Sequence, residues 1–169
     1  MSAIRERRGV AAAGVAGLAV LMTIVAGCGG QSGTGNAAEP RSGAHVTVDS
    51  RSVPGFGKVL VNDKGYALYM FEPDSQRQVT CTGLCAATWP PVRIVDSASL
   101  AAGPGVSSAR LSSDPDPAGG RVVTYNGWPL YTYTGDVAPG QVTGQGIDLN
   151  GGDWYLMRPS GQPITTGLG

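Results

Sequence analysis

The chain repeats itself. Gly65–Asp74, GYALYMFEPD, returns at Gly127–Asp136 as GWPLYTYTGD, so that Gly65, Leu68, Tyr69 and Asp74 reappear 62 positions later as Gly127, Leu130, Tyr131 and Asp136. Phe71 becomes Tyr133, and Tyr66 becomes Trp128. Two copies of one unit in so short a chain restrict the fold to a duplicated scaffold. The likeness runs on beyond the motif. Gln78-Val79-Thr80 matches Gln141-Val142-Thr143, and Trp89 with Arg93 matches Trp154 with Arg158. Each copy therefore reads as a hairpin, a Tyr-x-aromatic-x-x-Asp segment, a Gln-Val-Thr loop and a Trp-bearing strand. The copies part company between loop and Trp: the first has Cys81 and Cys85, the second Gly144, Gly146 and Gly151-Gly152.

The signals within each copy are strand signals. His45–Asp49 alternates as HVTVD, Lys58–Val61 reads KVLV, and the turn Asn62–Gly65 leads into the first motif. Asn, Asp and Gly tolerate the backbone conformations of tight turns, so this is a hairpin. Arg121–Tyr125, Asn126-Gly127 and Trp128–Thr134 make the second, with Asn-Gly the strongest short hairpin signal. Val92–Val95 and Asp153–Met157 add strands, Ser97–Ala102 offers one helical turn at most, and Ser112–Gly120 reads as an exposed loop. No segment beyond residue 28 sustains a 3.6-residue apolar period, and 27 Gly with 12 Pro favour turns over long helices. The expectation is an all-β fold: a single compact domain of two related hairpin-containing repeats, about eight short strands, with residues 45–104 and 105–169 as the repeats. A closed or sandwich-like arrangement is expected, because sheet edges need cover.

The N-terminus carries an address. Arg5, Arg7 and Arg8 precede an apolar run, Val10–Val25, which ends in Val-Ala-Gly-Cys. A basic flank, a short apolar stretch and small residues make a secretory signal over 1–27. The run is short for a membrane span of about 20 residues. It resembles a bacterial lipobox, which implies that Cys28 becomes the lipidated first residue of the mature chain. Gly29–Gly43, GGQSGTGNAAEPRSG, holds no apolar residue larger than Ala, so 28–44 reads as a flexible, disordered tether. Loss of Arg5, Arg7, Arg8 and Glu6 from twelve cationic and twelve acidic residues leaves a mature net charge of −2. Without a basic patch, nucleic acid is not an expected partner. The expected partners are the membrane, through lipid on Cys28 at its extracytoplasmic face, and an envelope protein or ligand of unknown identity. In an exported chain Cys81 and Cys85 are expected to form a disulfide, whose five-residue loop stabilises by about 2 kcal/mol in the chain-entropy picture.

GYALYMFEPD, CTGLCAATWPP, TYNGWPLYTYTGD, GQG and GGDWY, together with the Cys-bearing signal, make the chain resemble a family of bacterial lipoproteins. These carry a secreted repeat of unknown function, marked by Tyr-x-(Phe/Trp/Tyr)-x-x-Asp. The resemblance covers about Gly55 to Gly161 and carries the motif onto Tyr69, Phe71 and Asp74, and onto Tyr131, Tyr133 and Asp136. It implies export and names no activity.

Several residues bear chemistry. Tyr69 with Phe71, and Tyr131 with Tyr133, share a strand face two by two. They are either an aromatic platform for a flat ligand or a core pair from each repeat, and the shortage of other large apolar residues favours core. Asp74 and Asp136 follow their strands. They are either a carboxylate pair for acid/base hydrolysis or turn caps through the local backbone, and the second is the commoner use. Arg93 and Arg158 are expected to stack on Trp or pair with Asp. His45 is the sole His, and the ligand set is too thin to predict a metal or a cofactor. No nucleophile elbow, zinc-protease helix, P-loop or C-x-x-C is present. The leading expectation is a lipid-anchored binding or structural module without enzymatic activity. A redox, metal- or haem-handling envelope lipoprotein is second, and a carboxylate-dependent hydrolase third. Trp89, Trp128 and Trp154 are expected to be core or turn-covering residues ahead of a binding box, and the divergent loops place any candidate surface site at Trp89, Gly146 and Trp154.

Overall fold

The computed structural model describes residues 45–74, 78–95 and 99–166. The signal segment, Cys28 and the tether lie outside the described residues. In chain order the elements are β1 (His45–Val53), β2 (Gly57–Asn62), β3 (Tyr69–Phe71), α1 (Leu84–Thr88), β4 (Arg93–Ile94), β5 (Ser99–Ala102), β6 (Leu111–Pro115), β7 (Arg121–Tyr125), β8 (Trp128–Pro129), β9 (Ile147–Asp148) and β10 (Asp153–Leu156). Among the described residues no helix is long and apolar enough to cross a membrane.

The two hairpins form where turn chemistry allows. β1 and β2 pair antiparallel, with Val48 opposite Asn62. The following turn is held by Asn62 Oδ1, which accepts from the N–H groups of Lys64 (3.1 Å) and Tyr66 (2.9 Å). In the second repeat β7 returns into β8 through Asn126 (φ 52°) and Gly127 (φ 83°). Two successive left-handed residues match the twist of the flanking strands, and Asn-Gly reaches that conformation at least cost.

The all-β expectation holds, with ten strands among the described residues. They fall into three open sheets, ordered β2-β1-β5, β3-β10-β9 and β4-β7-β6, with β8 also on β7. Of the closed or sandwich-like arrangement expected, closure does not occur. Instead, single backbone bonds knit the sheets together: the Leu60 N–H donates to Met157 O (2.8 Å), and the Met157 N–H to Leu68 O (3.1 Å). Two segments expected to be irregular or helical are strands. β6 lies within the expected exposed loop, where Ser-Ser-Asp shows no apolar alternation; its ladder with valine-rich β7 supplies the order. β5 takes the place of a helical turn by pairing parallel with β1, His45 opposite Ser99, so tertiary pairing overrides a weak local preference. α1, unexpected from the sequence, spans Leu84-Cys85-Ala86-Ala87-Thr88, and its backbone leads into Trp89 through the bond from Trp89 N–H to Cys85 O (2.8 Å).

The repeats interlock. β3 of the first copy pairs with β10 of the second, Phe71 opposite Trp154. The segment after Tyr131 lies against residues 88–90 of the first, with bonds from Thr132 N–H to Pro90 O (3.0 Å) and from Thr134 N–H to Thr88 O (3.1 Å). At the centre Tyr69 and Tyr131 exchange both backbone bonds, each 2.9 Å. β3 is buried on both faces, which is why its sequence is continuously apolar. Leu68 and Met70 face one cluster with Leu60, Leu130 and Met157, while Tyr69 and Phe71 face another with Trp89, Tyr131 and Trp154.

The second cluster is built on a four-ring stack, Phe71–Trp154–Trp89–Tyr133, with centroid spacings of 4.2, 4.0 and 4.1 Å. Corresponding residues occupy corresponding places, Phe71 with Tyr133 at the ends and the two Trp inside. Tyr69 meets Trp89 edge-on at 5.4 Å, and Tyr131 meets Trp154 edge-on at 5.1 Å. Aromatic pairs in such geometry add about 0.5–1.5 kcal/mol beyond their buried area. Trp154→Ala should cost about 3–5 kcal/mol, the range for truncating a buried aromatic. Tyr133→Ala, at the half-exposed end of the stack, should cost less. Urea unfolding of the two variants checks the order, and equal losses would place the stack outside the stabilising core.

Candidate functional site

Asp74 and Asp136 end the two motif segments. In each, the backbone N–H turns back three residues, Asp74 to Phe71 O (3.0 Å) and Asp136 to Tyr133 O (3.2 Å). Turn capping is the use expected from the sequence, but the side chains reach past that turn to Thr80 and Thr143. They point inward and are almost fully buried, at 0% and 4% exposure. Asp74 Oδ1 accepts from the Thr80 N–H (2.7 Å) and hydroxyl (2.6 Å). Asp136 Oδ1 accepts from the Thr143 N–H (2.8 Å) and hydroxyl (2.6 Å). Each carboxylate thus pins the Gln-Val-Thr loop of its own repeat.

The remaining oxygens cross over. Asp74 Oδ2 accepts from the Tyr131 hydroxyl at 2.5 Å, and Asp136 Oδ2 from the Tyr69 hydroxyl at 2.6 Å. The repeated Tyr of one copy therefore serves the repeated Asp of the other. Burial raises both phenols well above their ordinary value, and the Asp partner of each raises it further. Both remain protonated donors across the neutral range. Burial also raises the Asp74 carboxyl, against the opposing pull of the hydrogen bonds from Thr80 and Tyr131.

This geometry sorts the candidate residues. Gly65 and Gly127 serve the hairpin turns, and Leu68 and Leu130 the core. Tyr69, Phe71 and Tyr131 are buried, so the motif faces form no open platform. Tyr133 alone of the four is half-buried, and it borders a shallow recess of about 240 Å3 with Asn62, Lys64 and Tyr66. Asp136 also borders that recess but is only 4% exposed, and each carboxylate accepts three hydrogen bonds from Thr and Tyr. Cys81 and Cys85 form the expected disulfide, with Cα atoms 5.2 Å apart.

The expected surface site at Trp89, Gly146 and Trp154 is displaced. Both Trp rings are fully buried, drawn in by the stack. Gly146 donates its N–H to Trp154 O at 2.8 Å and serves the loop. The Trp154 Nε1–H donates to Leu149 O (3.0 Å), whereas the Trp89 Nε1–H has no partner among the described residues. Arg93 pairs with Asp116 (2.6 Å), and Arg158 donates to Phe56 O (3.4 Å). His45 Nδ1 meets Ser99 Oγ at 2.5 Å. Among the described residues no three His, Cys, Asp or Glu side chains converge as a metal site. Thr80 and Thr143 are residues to which the sequence reading assigned no role; their signal was the recurrence of Gln-Val-Thr.

Gly144 corresponds to Cys81 by position in the repeat. A Cβ at Gly144 would lie 2.8 Å from the Trp89 ring and 3.0 Å from Tyr69, so glycine is needed for this close approach. Gly144→Ala should destabilise by about 1–3 kcal/mol, as overpacking does; a melt matching the native protein would show that the ring yields freely.

Tyr69→Phe and Tyr131→Phe should each cost about 1.5–3 kcal/mol in urea unfolding, the value of a hydrogen bond to a charged group. A loss below half a kcal/mol in both would remove the crossed bonds from the stabilising set. The raised phenols also fix an alkaline limit. Their contribution is fully present below the ordinary value of 10.0 and is lost as pH rises through the higher folded value. Ultraviolet titration of the native protein should therefore leave Tyr69 and Tyr131 silent to pH 11. The Tyr69→Phe/Tyr131→Phe pair should leave the native titration amplitude unchanged up to that pH.

No curated protein and no solved structure matches the chain. A family model does, twice, over residues 53–93 and 114–157. The two matches fall on the two interlocked copies, each containing one Tyr-x-aromatic-x-x-Asp segment; the expected Trp-bearing strand is present in the second copy, where Trp154 is on β10, whereas Trp89 of the first follows α1. The chain belongs to the family described as a secreted repeat of unknown function.

Proposed function

We propose that the folded unit is a binding or structural module without enzymatic activity, held at the extracytoplasmic face of a membrane by lipid on Cys28. The observation that carries this reading is the complete internal use of the repeated chemistry. Tyr69, Tyr131, Asp74 and Asp136 are buried and hydrogen-bonded to one another and to Thr loops. A motif kept for scaffolding leaves recognition to the surfaces around it, which is the division of labour in a display module. Membership in a family of secreted repeats supports a location outside the cytoplasm. The Val25-Ala26-Gly27-Cys28 sequence, followed by a Gly- and Ser-rich tether, supports attachment by acyl chains.

Membrane fractionation tests the anchoring. Native protein should sediment with membranes, and Cys28→Ser should move to the soluble fraction with the same melting temperature for its folded unit. Retention of Cys28→Ser on membranes would overturn the anchor. Cross-linking on intact cells tests the module itself: a discrete adduct or bound ligand is expected with the native protein, and its absence counts against a binding role.

A further inference from the structure

A recess among the described residues lies away from the motif, on the hairpin of the second repeat. It measures about 490 Å3 and is bordered by Arg110, Ser112, Asp114, Thr124, Asn126 and Gly127. That volume lies within the range of about 300–1,000 Å3 typical of small-molecule sites. Ser112 and Thr124 stand directly opposite each other across β6 and β7, and Asp114 is on the same face two residues along. The opposite face carries Leu111, Val123 and Tyr125, which pack into the core.

Thr124 is the unusual member. It is 1% exposed, yet its hydroxyl has no hydrogen-bond partner among the described residues. A buried hydroxyl left unpaired is costly, and native interiors seldom retain one without a reason. Around it, the side chains of Arg110, Ser112 and Asp114 also make no hydrogen bond or ion pair among the described residues. The first repeat shows that the scaffold does not require this polar set. There Val48 stands opposite Asn62, where the second repeat has Ser112 opposite Thr124. Val48 is fully buried core, and Asn62 uses its oxygen to hold its own turn.

We propose that this recess binds a neutral, hydroxyl-rich ligand, a saccharide of one or two rings, with the Thr124 hydroxyl as its buried anchor. This assignment rests on reading the protein as a binding module. The lining carries one cation and one anion, so a ligand of either net charge would face a like-charged side chain. A polyol engages each group. Asp114 accepts from sugar hydroxyls, Arg110 donates to their oxygens, and the hydroxyls of Ser112 and Thr124 do both.

The test uses the full-length protein in detergent, with saturation-transfer NMR and calorimetry against glucose, mannose, N-acetylglucosamine and trehalose; glycine and inorganic phosphate serve as charged probes. At least one saccharide should bind, and Thr124→Val and Asp114→Asn should each weaken it tenfold or more. Thr124→Val should also raise the melting temperature of the ligand-free protein, because it removes an unpaired buried hydroxyl and valine suits a strand. No saccharide binding, binding unaffected by Thr124→Val, or a lowered melting temperature would overturn the proposal. Binding of glycine or phosphate in place of sugar would also overturn it and leave the binding module standing. Cross-linking on intact cells reads that broader role separately.

Discussion

Two carboxylates lie inside a small all-β protein, and the placement of nearly every repeated residue follows from the need to satisfy them. An unpaired buried carboxylate is among the costliest defects a fold can carry. Asp74 and Asp136 escape it by accepting from a Thr backbone amide, a Thr hydroxyl and a Tyr hydroxyl each. The Thr donors come from the same repeat and shape its loop. The Tyr donors come from the other repeat, so the two copies must lie side by side with Tyr69 and Tyr131 back to back. The exchanged backbone bonds and the four-ring stack fall into place around that constraint.

The copies answer the same requirement with different means where they diverge. In the first, the disulfide closes the loop beside Thr80, and the Cys81 amide also supports Asp74. In the second, Gly144 brings its amide to within 3.3 Å of the Tyr69 hydroxyl because no side chain stands between backbone and ring. One loop is held by a covalent bond and the other by close packing. The hairpins also differ elsewhere: in the first, Val48 opposite Asn62 is core, whereas in the second the matching pair is Ser112 and Thr124.

Much of this was legible in the sequence because it is local. Asn126-Gly127 specifies its own turn, valine-rich segments specify strands, and Cys81 with Cys85 in an exported chain specifies a bridge. The duplication was legible from Gly65, Leu68, Tyr69 and Asp74 alone. What escaped the sequence depends on partners distant in the chain. β6 has a loop's composition and is a strand only because β7 pairs with it. β5 is ordered by β1 from more than fifty residues away. Trp89 and Trp154 read as matching strand residues next to divergent loops, and their direct stacking on each other across the repeats was not visible. The crossing of the Tyr–Asp bonds is of the same kind. A fixed offset of 62 says that Tyr131 resembles Tyr69 and is silent on which Asp each one reaches.

That crossing bears on how such a chain came to exist. A single copy holds an Asp and a Tyr that are not each other's partners, so it leaves one acceptor and one donor stranded. Two copies about a two-fold axis resolve both at once, whether or not a peptide linker joins them. The smallest unit that satisfies both is therefore a pair of copies, and this chain carries the pair in one polypeptide.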